Sequence, residues 1–226
     1  MDNITHYGDQ VFDKKYFGTY YKKYNEEEFT KAYRWFKGWT RLIGQLYPIK
    51  KFHGKKILVV GSGIGAFPKA VKEMGFEVQA TDISKFIIKK AKKLQKDIDF
   101  KVDDIERIAG KQNQYNLIFM IKTLERLRDP KKALKHIKGR LKKDGMLIFF
   151  SPYLTKKNLT DPANINVKSP EEWIDIGKEL SFKKMKFKYV SFLPFLYRYN
   201  SFFSRAFPIK INLPMVVNTC FFIFEN

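Results

Sequence analysis

Residues Lys56 to Phe67 read KILVVGSGIGAF, and the fold turns on them. Four apolar residues, Ile57 to Val60, run straight into glycines at alternate positions, Gly61, Gly63 and Gly65. A strand that feeds a glycine turn and then a helix aims backbone N–H groups and the positive helix end at a single ligand position. Glycine suits the loop because a Cβ would block the tight turn or the ligand's approach. Pro68 falls near the first turn of the expected helix, where a missing N–H costs least. Two spacings share the loop. G-x-G-x-x-A, through Gly61, Gly63 and Ala66, is a dinucleotide fingerprint. G-x-G-x-G, through Gly61, Gly63 and Gly65, fits a second kind of nucleoside ligand, so the rest of the chain has to decide.

Working outward, strand and helix patterns alternate from Lys56 onward. Strands are expected at 57–60, 76–81, 98–102, 116–122 and 145–151, and helices at 66–74, 85–95 and 130–142. A later helix at 170–180 and strands at 183–193 and 216–225 complete a seven-stranded sheet. Strands that are almost wholly apolar are buried on both faces, which implies a mostly parallel sheet covered by helices. Ahead of it, Phe29, Ala32, Tyr33, Phe36, Ile43 and Leu46 recur at helical spacing over 26–46, ended by Tyr47-Pro48. The expected organisation is an N-terminal helical extension or cap, residues 1–54, and one α/β domain, residues 55–226. That domain carries an aromatic-rich insert near 193–214.

Composition narrows the class. A chain of 226 residues with 44% hydrophobic content can bury a substantial core. A single cysteine, Cys220, excludes a disulfide framework. The start, MDNITHYGDQVFDKK, lacks a basic segment followed by an apolar one, and no apolar run approaches the ~18–20 residues of a membrane span. A soluble, cytoplasmic protein is expected. The net charge of +21 invites a nucleic-acid reading. The lysines are spread along helix-like stretches such as KKAKKLQK (Lys89–Lys96), so a solvated surface is the favoured explanation. Attraction to anionic substrates or to an anionic membrane surface stays open. His6, His53 and His136 do not cluster and no metal-ligand spacing occurs, so no metal is expected.

The second strand ends TDIS, with Asp82 about twenty residues beyond Gly61, where a carboxylate accepts both hydroxyls of a ribose. Ser84 can cap the next helix and leave Asp82 for the ligand. Beyond the third strand comes VDDIERI, with Asp103 and Asp104. The fourth strand opens the run TLERLRDP (Thr123–Pro130), LKKDG (Leu141–Gly145) and SPY (Ser151–Tyr153). From roughly Lys55 to Tyr153, in this order, the chain resembles the class I S-adenosylmethionine-dependent methyltransferases. The resemblance implies a Rossmann-like fold and S-adenosylmethionine as the methyl donor. It implies cofactor contacts at Gly61, Ser62, Gly63, Gly65, Asp82, Ile83, Asp103, Asp104, Ile105 and Ile121, with Asp104 taking the adenine amine. Nicotinamide enzymes share the first loop but are not expected to share this second half.

Three positions depart from the family pattern. Val59 stands where an acid usually precedes the first glycine, Arg126 replaces the histidine of an L-E-H-L turn, and Asn164 replaces a histidine in DPANINVKSPEEW (Asp161–Trp173). Val59 and Arg126 keep a degenerate, cofactor-binding domain in play. Arginine cannot act as a base, but it can clamp an anion. Lys122, Arg126, Tyr153, Asn164 and Asn166 are the candidate substrate contacts, and no constellation of bases stands out. The aromatic stretch YFGTYYKKY (Tyr16–Tyr24) and the insert with Arg198 and Arg205 are expected to cover a hydrophobic site. A small-molecule acceptor is expected, with a sugar, isoprenoid or lipid-linked intermediate as its classes and membrane contact as a companion. RNA- or protein-directed methyl transfer is the alternative.

Overall fold

The computed structural model describes residues 12–18, 23–155, 159, 163–192, 206–207 and 217–226. His6, Arg198, Arg205, most of the aromatic insert and residues 19–22 of the N-terminal aromatic stretch lie outside the described residues.

Five strands follow the expected alternation. They are β1 (Lys56–Val60), β2 (Glu77–Asp82), β3 (Asp99–Val102), β4 (Tyr115–Ile121) and β5 (Leu141–Pro152). The intervening helices are α3 (Ala66–Lys72), α4 (Lys85–Leu94) and α5 (Pro130–Arg140), preceded by α1 (Lys14–Gly18) and α2 (Glu26–Leu46). Then follow α6 (Pro170–Glu179), β6 (Lys184–Phe192), β7 (Ala206–Phe207) and β8 (Val217–Glu225). The sheet runs β3-β2-β1-β4-β5-β8-β6-β7. The first five strands are parallel, and β8, β6 and β7 pair antiparallel. The seven expected strands are thus present, and β7 adds a two-residue edge within the expected insert.

Capping chemistry sets the helix starts. Asn25 accepts the Glu28 N–H, Asp129 accepts the Lys132 N–H ahead of Pro130, and Ser169 and Glu172 form a reciprocal box. Helix α5 stops at Arg140, two residues earlier than expected, because Leu141 already pairs with Tyr115 in the sheet. Residues 142–145 then bulge before the register resumes at Leu117↔Met146.

Each strand sends alternate side chains into two cores. Ile57 and Val59 join Trp39, Leu42, Ile43 and Phe150 on one face. Leu58 and Val60 join Leu134, Phe149, Trp173 and Phe222 on the other. Trp39 meets Phe150 edge-on at 4.5 Å, and Phe149 stacks on Phe222 at 4.4 Å. Trp173 is fully buried, and its indole N–H donates to Ser151 Oγ at 3.1 Å. The strand order reverses between β1 and β4. In an open α/β sheet the ligand crevice lies at the carboxyl ends beside that switch.

Candidate functional site

A cavity of about 660 Å³ lies there, walled by the loops after β1, β2, β3 and β4 and roofed by α1 and α2. The glycine loop forms one wall. Gly61, Gly63 and Gly65 all have positive φ, at 72°, 54° and 90°. A Cβ on Gly61 would run into the Thr123 side chain, with Cγ2 3.0 Å away. Thr123, which opens the TLERLRDP run but was not among the expected contacts, lines the cavity and packs against the loop. Gly61 and Gly63 reach the cavity, as does Ser62, whose hydroxyl is buried and has no hydrogen-bond partner among the described residues. Gly65 is not on the wall. It is the residue before α3, and a Cβ there would lie 2.6 Å from Phe100 Cζ, so it serves helix–sheet packing.

Asp82 ends β2 with its carboxylate buried. Oδ2 accepts the Gly63 N–H at 2.9 Å and Oδ1 accepts the Ser84 N–H at 3.1 Å. Ser84 caps α4, as its side chain accepts the Ile87 N–H. Burial raises the Asp82 pKa; the N–H donors and the charge of Arg126 oppose that rise without cancelling it. Ile83 lies beside it on the wall.

Asp103 and Asp104 divide their work. Asp103 is held by the Arg140 guanidinium, with N–O distances of 2.5 and 3.2 Å, and Arg140 also donates to the carbonyls of Ile108 and Ala109. Both partners are nearly buried, so this pair anchors the loop after β3. Asp104 accepts the Glu106 N–H at 3.0 Å through Oδ1 and lines the cavity with Ile105 and Glu106. Glu106 accepts the Asp129 N–H at 2.6 Å, and burial raises its pKa.

Ile121, Lys122, Arg126 and Leu127 close the β4 side. Lys122 is exposed and has a left-handed backbone, φ 54°, directly beyond the strand. Arg126 is not simply solvent-facing. Its guanidinium donates to the Tyr16 hydroxyl and lies 5.7 Å from that ring, which ties the β4 turn to α1. Phe12, Tyr16 and Phe17 from α1 and its approach, with Trp35, Phe36 and Trp39 from α2, give the roof its aromatic face.

Tyr153, Asn164 and Asn166 are not on the cavity wall. Tyr153 is buried in the second core, stacks on Tyr189 at 5.2 Å, and burial pushes its hydroxyl pKa upward. Asn166 donates through its side chain to the Leu127 and Arg128 carbonyls, and its N–H donates to Glu125. It braces the β4 turn from behind. Val59 is buried and pairs with Ala80 and Phe119, so it faces the first core instead of the cavity. Among the described residues no group of His, Cys, Asp and Glu could hold a metal ion.

Comparison with known proteins agrees with this geometry. Residues 58–149 match a family model described as a methyltransferase domain. The chain superposes on a SAM-dependent methyltransferase from Archaeoglobus fulgidus with TM-score 0.64 and 15% identity, covering 84% of this chain and 94% of that one. Residues 58–149, less than half of the chain, thus resemble a methyltransferase domain, and the superposition shows a shared fold. The chain also superposes on phosphoethanolamine N-methyltransferase 2 of Haemonchus contortus with TM-score 0.66 and 18% identity, covering 97% of this chain and 59% of that one. In sequence it is 30% identical over 100 residues to a ubiquinone biosynthesis O-methyltransferase of Coxiella burnetii, covering 42% of this chain and 43% of the relative. It is 27% identical over 155 residues to a demethylmenaquinone methyltransferase of Renibacterium salmoninarum, covering 63% of this chain and 65% of the relative. The alignments therefore span less than two thirds of either relative's length.

Proposed function

We propose that the chain is an S-adenosylmethionine-dependent methyltransferase acting on a small, ring-bearing hydrophobic acceptor. The observation that carries this reading is one cavity in which Gly61–Gly63, Asp82 and Asp104 face an aromatic roof. The residues fit the cofactor. Gly61 and Gly63 reach the cavity with positive φ, and the buried Ser62 hydroxyl beside them has no hydrogen-bond partner among the described residues. A bound S-adenosylmethionine supplies a methyl group already activated by its sulfonium. Asp82 would hold the ribose hydroxyls and Asp104 the adenine amine, with Ile83 and Ile105 as apolar neighbours on the same wall. The protein's main task is then placement, which contributes about 7–11 kcal/mol when reacting atoms are held in line. Helices α1 and α2 exclude water from that placement. On this reading residues 1–54 are a cap and residues 55–226 the catalytic domain.

The names of the sequence relatives, which concern ubiquinone biosynthesis and demethylmenaquinone, support a quinone-type ring as the acceptor. The reading extends to an acceptor carried by a membrane. Val102, Ile108, Leu154, Leu159 and Ile165 are exposed, and all lie at or beyond the ends of β3 and β5 in the chain. No described helix is long and apolar enough to cross a membrane, so contact is peripheral in this reading. Transfer of labelled methyl from S-adenosylmethionine into quinone precursors tests the activity. Incorporation supports the reading, and binding of cofactor without transfer into any small-molecule fraction would favour the degenerate-domain alternative.

A further inference from the structure

The loop after β3, residues 103–110, carries Asp103, Asp104, Ile105 and Glu106 onto the cavity wall. Its start is pinned to β2, where the Asp103 N–H donates to the Asp82 carbonyl at 3.0 Å. Its turn closes on Asp104. The Glu106 N–H donates to Asp104 Oδ1 at 3.0 Å, and the Arg107 and Ile108 N–H groups donate to the Asp104 carbonyl at 3.1 and 2.8 Å. These bonds shape the turn but leave the carbonyls of Ile105, Ile108 and Ala109 for partners outside it.

Helix α5 supplies those partners. The Ile105 carbonyl accepts from His136 Nδ1 at 2.8 Å. Arg140, the last residue of the helix, donates from Nη1 and Nη2 to the two Asp103 oxygens at 2.5 and 3.2 Å. Nη2 also reaches the Ile108 carbonyl at 2.6 Å, and Nε the Ala109 carbonyl at 2.9 Å. One planar fork thus ties both ends of the loop, a geometry that lysine lacks. The fork is itself fixed. Arg140 is 5% exposed, its carbonyl accepts the Gln114 N–H at 2.9 Å, and Leu141 beyond it pairs with Tyr115. Gly110 makes room for it, because a Cβ at that φ of 71° would lie 2.6 Å from Arg140 Nε. Arg140 is not on the cavity wall, so it reaches a ligand only through the loop.

We propose that Arg140 is a positioning residue that sets the base selectivity of the cofactor site. It holds the loop so that Asp104 meets the exocyclic amine of adenine, and by engaging Asp103 it offsets the charge of the neighbouring carboxylate. An acceptor held in place favours a base that donates there and rejects one that presents a carbonyl. Asp82 is ordered separately, by the Gly63 and Ser84 N–H groups, so the ribose contact lies outside this control. The role rests on the S-adenosylmethionine reading of the cavity.

Calorimetry on the full chain tests it with two nucleosides, S-adenosylhomocysteine and S-inosylhomocysteine, which carries a carbonyl in place of the adenine amine. The wild-type chain should favour the adenine nucleoside by about tenfold or more. Removing Arg140 alone strands the buried Asp103 charge, so the variant is Arg140→Gln with Asp103→Asn. It should bind the two nucleosides within about threefold of each other, chiefly by losing affinity for S-adenosylhomocysteine. Arg140→Lys keeps the charge without the fork and should fall in between. It carries the test if thermal melting shows the double variant unfolded. An unchanged preference in a folded variant overturns the role, and so does an equal loss for both nucleosides, which is what mere structural support would give. Equal binding of the two by the wild-type chain also overturns it and leaves the cofactor site standing. Binding of neither sinks the cofactor reading, and this role with it.

Discussion

At the scale of residues, Asp82 joins the loop to the ligand site. Its carboxylate holds the Gly63 and Ser84 N–H groups, so it orders the loop before any ligand arrives. On the proposed reading, Asp82→Ala removes both that order and an acceptor for the ribose hydroxyls. Hydrogen bonds to a charged group are worth about 1.5–3 kcal/mol, so the dissociation constant for S-adenosylhomocysteine should rise at least about tenfold by calorimetry. The pKa of Asp82 also fixes a sign. Burial raises it in the folded chain, so ionised Asp82 opposes folding at neutral pH, and that opposition is relieved as pH falls through the folded value. Cofactor affinity should move the other way. Protonation removes the charge that strengthens the accepted hydrogen bonds, so affinity should fall on acidification while pH is still above the ordinary carboxylate value of 3.8, and a binding titration against pH would detect it. Gly61 makes a separate prediction. Gly61→Ala meets both a φ of 72° and the Thr123 side chain, and should destabilise the fold by about 1–3 kcal/mol in denaturant unfolding. Adding Thr123→Ala should recover part of the loss, because it removes the clash and leaves the backbone strain.

At the scale of elements, α1 is tied to the core by Arg126 and Tyr16 across a sequence distance of 110 residues. Tyr16→Phe should speed amide exchange in residues 14–18 by about tenfold, the loss expected for one charge-assisted bond. Unchanged exchange would mean that the aromatic contacts of Phe12 and Phe17 alone hold the roof. The element order from β1 to β5 was legible in the sequence because apolar runs, Ser84 and the Pro130 start are local signals. Helix α1 was not, since five residues make little more than one turn and carry no repeat of a periodic pattern, and its position depends on contacts with residues far along the chain. The apolar spacing of α2 was read correctly, but spacing cannot say that Trp35 and Phe36 face a cavity while Leu42 and Ile43 face the core. The loop motif marked Gly65 as a ligand residue for a similar reason. A positive φ and a neighbour such as Phe100 look the same in sequence as close approach to a cofactor. Tyr153 and Asn166 follow strand ends and turns where a substrate contact is plausible by position, and tertiary packing assigns them to bracing instead.

At the scale of the whole molecule, a net charge of +21 sits on a chain whose described ion pairs are mostly exposed and add little stability. That charge, with the exposed apolar residues at or beyond the ends of β3 and β5, predicts binding to vesicles containing phosphatidylserine. Co-sedimentation should weaken as salt rises and should be small with purely zwitterionic vesicles. Tight, salt-sensitive retention of RNA without vesicle binding would instead promote a nucleic-acid acceptor. The central claim is narrower than either partner, namely that the cavity beside the glycine loop holds S-adenosylmethionine. Isothermal calorimetry with S-adenosylhomocysteine tests it most directly. One-to-one binding with a sub-millimolar dissociation constant, weakened at least about tenfold by Asp82→Ala, is the predicted result. No heat at millimolar S-adenosylhomocysteine, together with binding of NAD(H) or NADP(H), would contradict it.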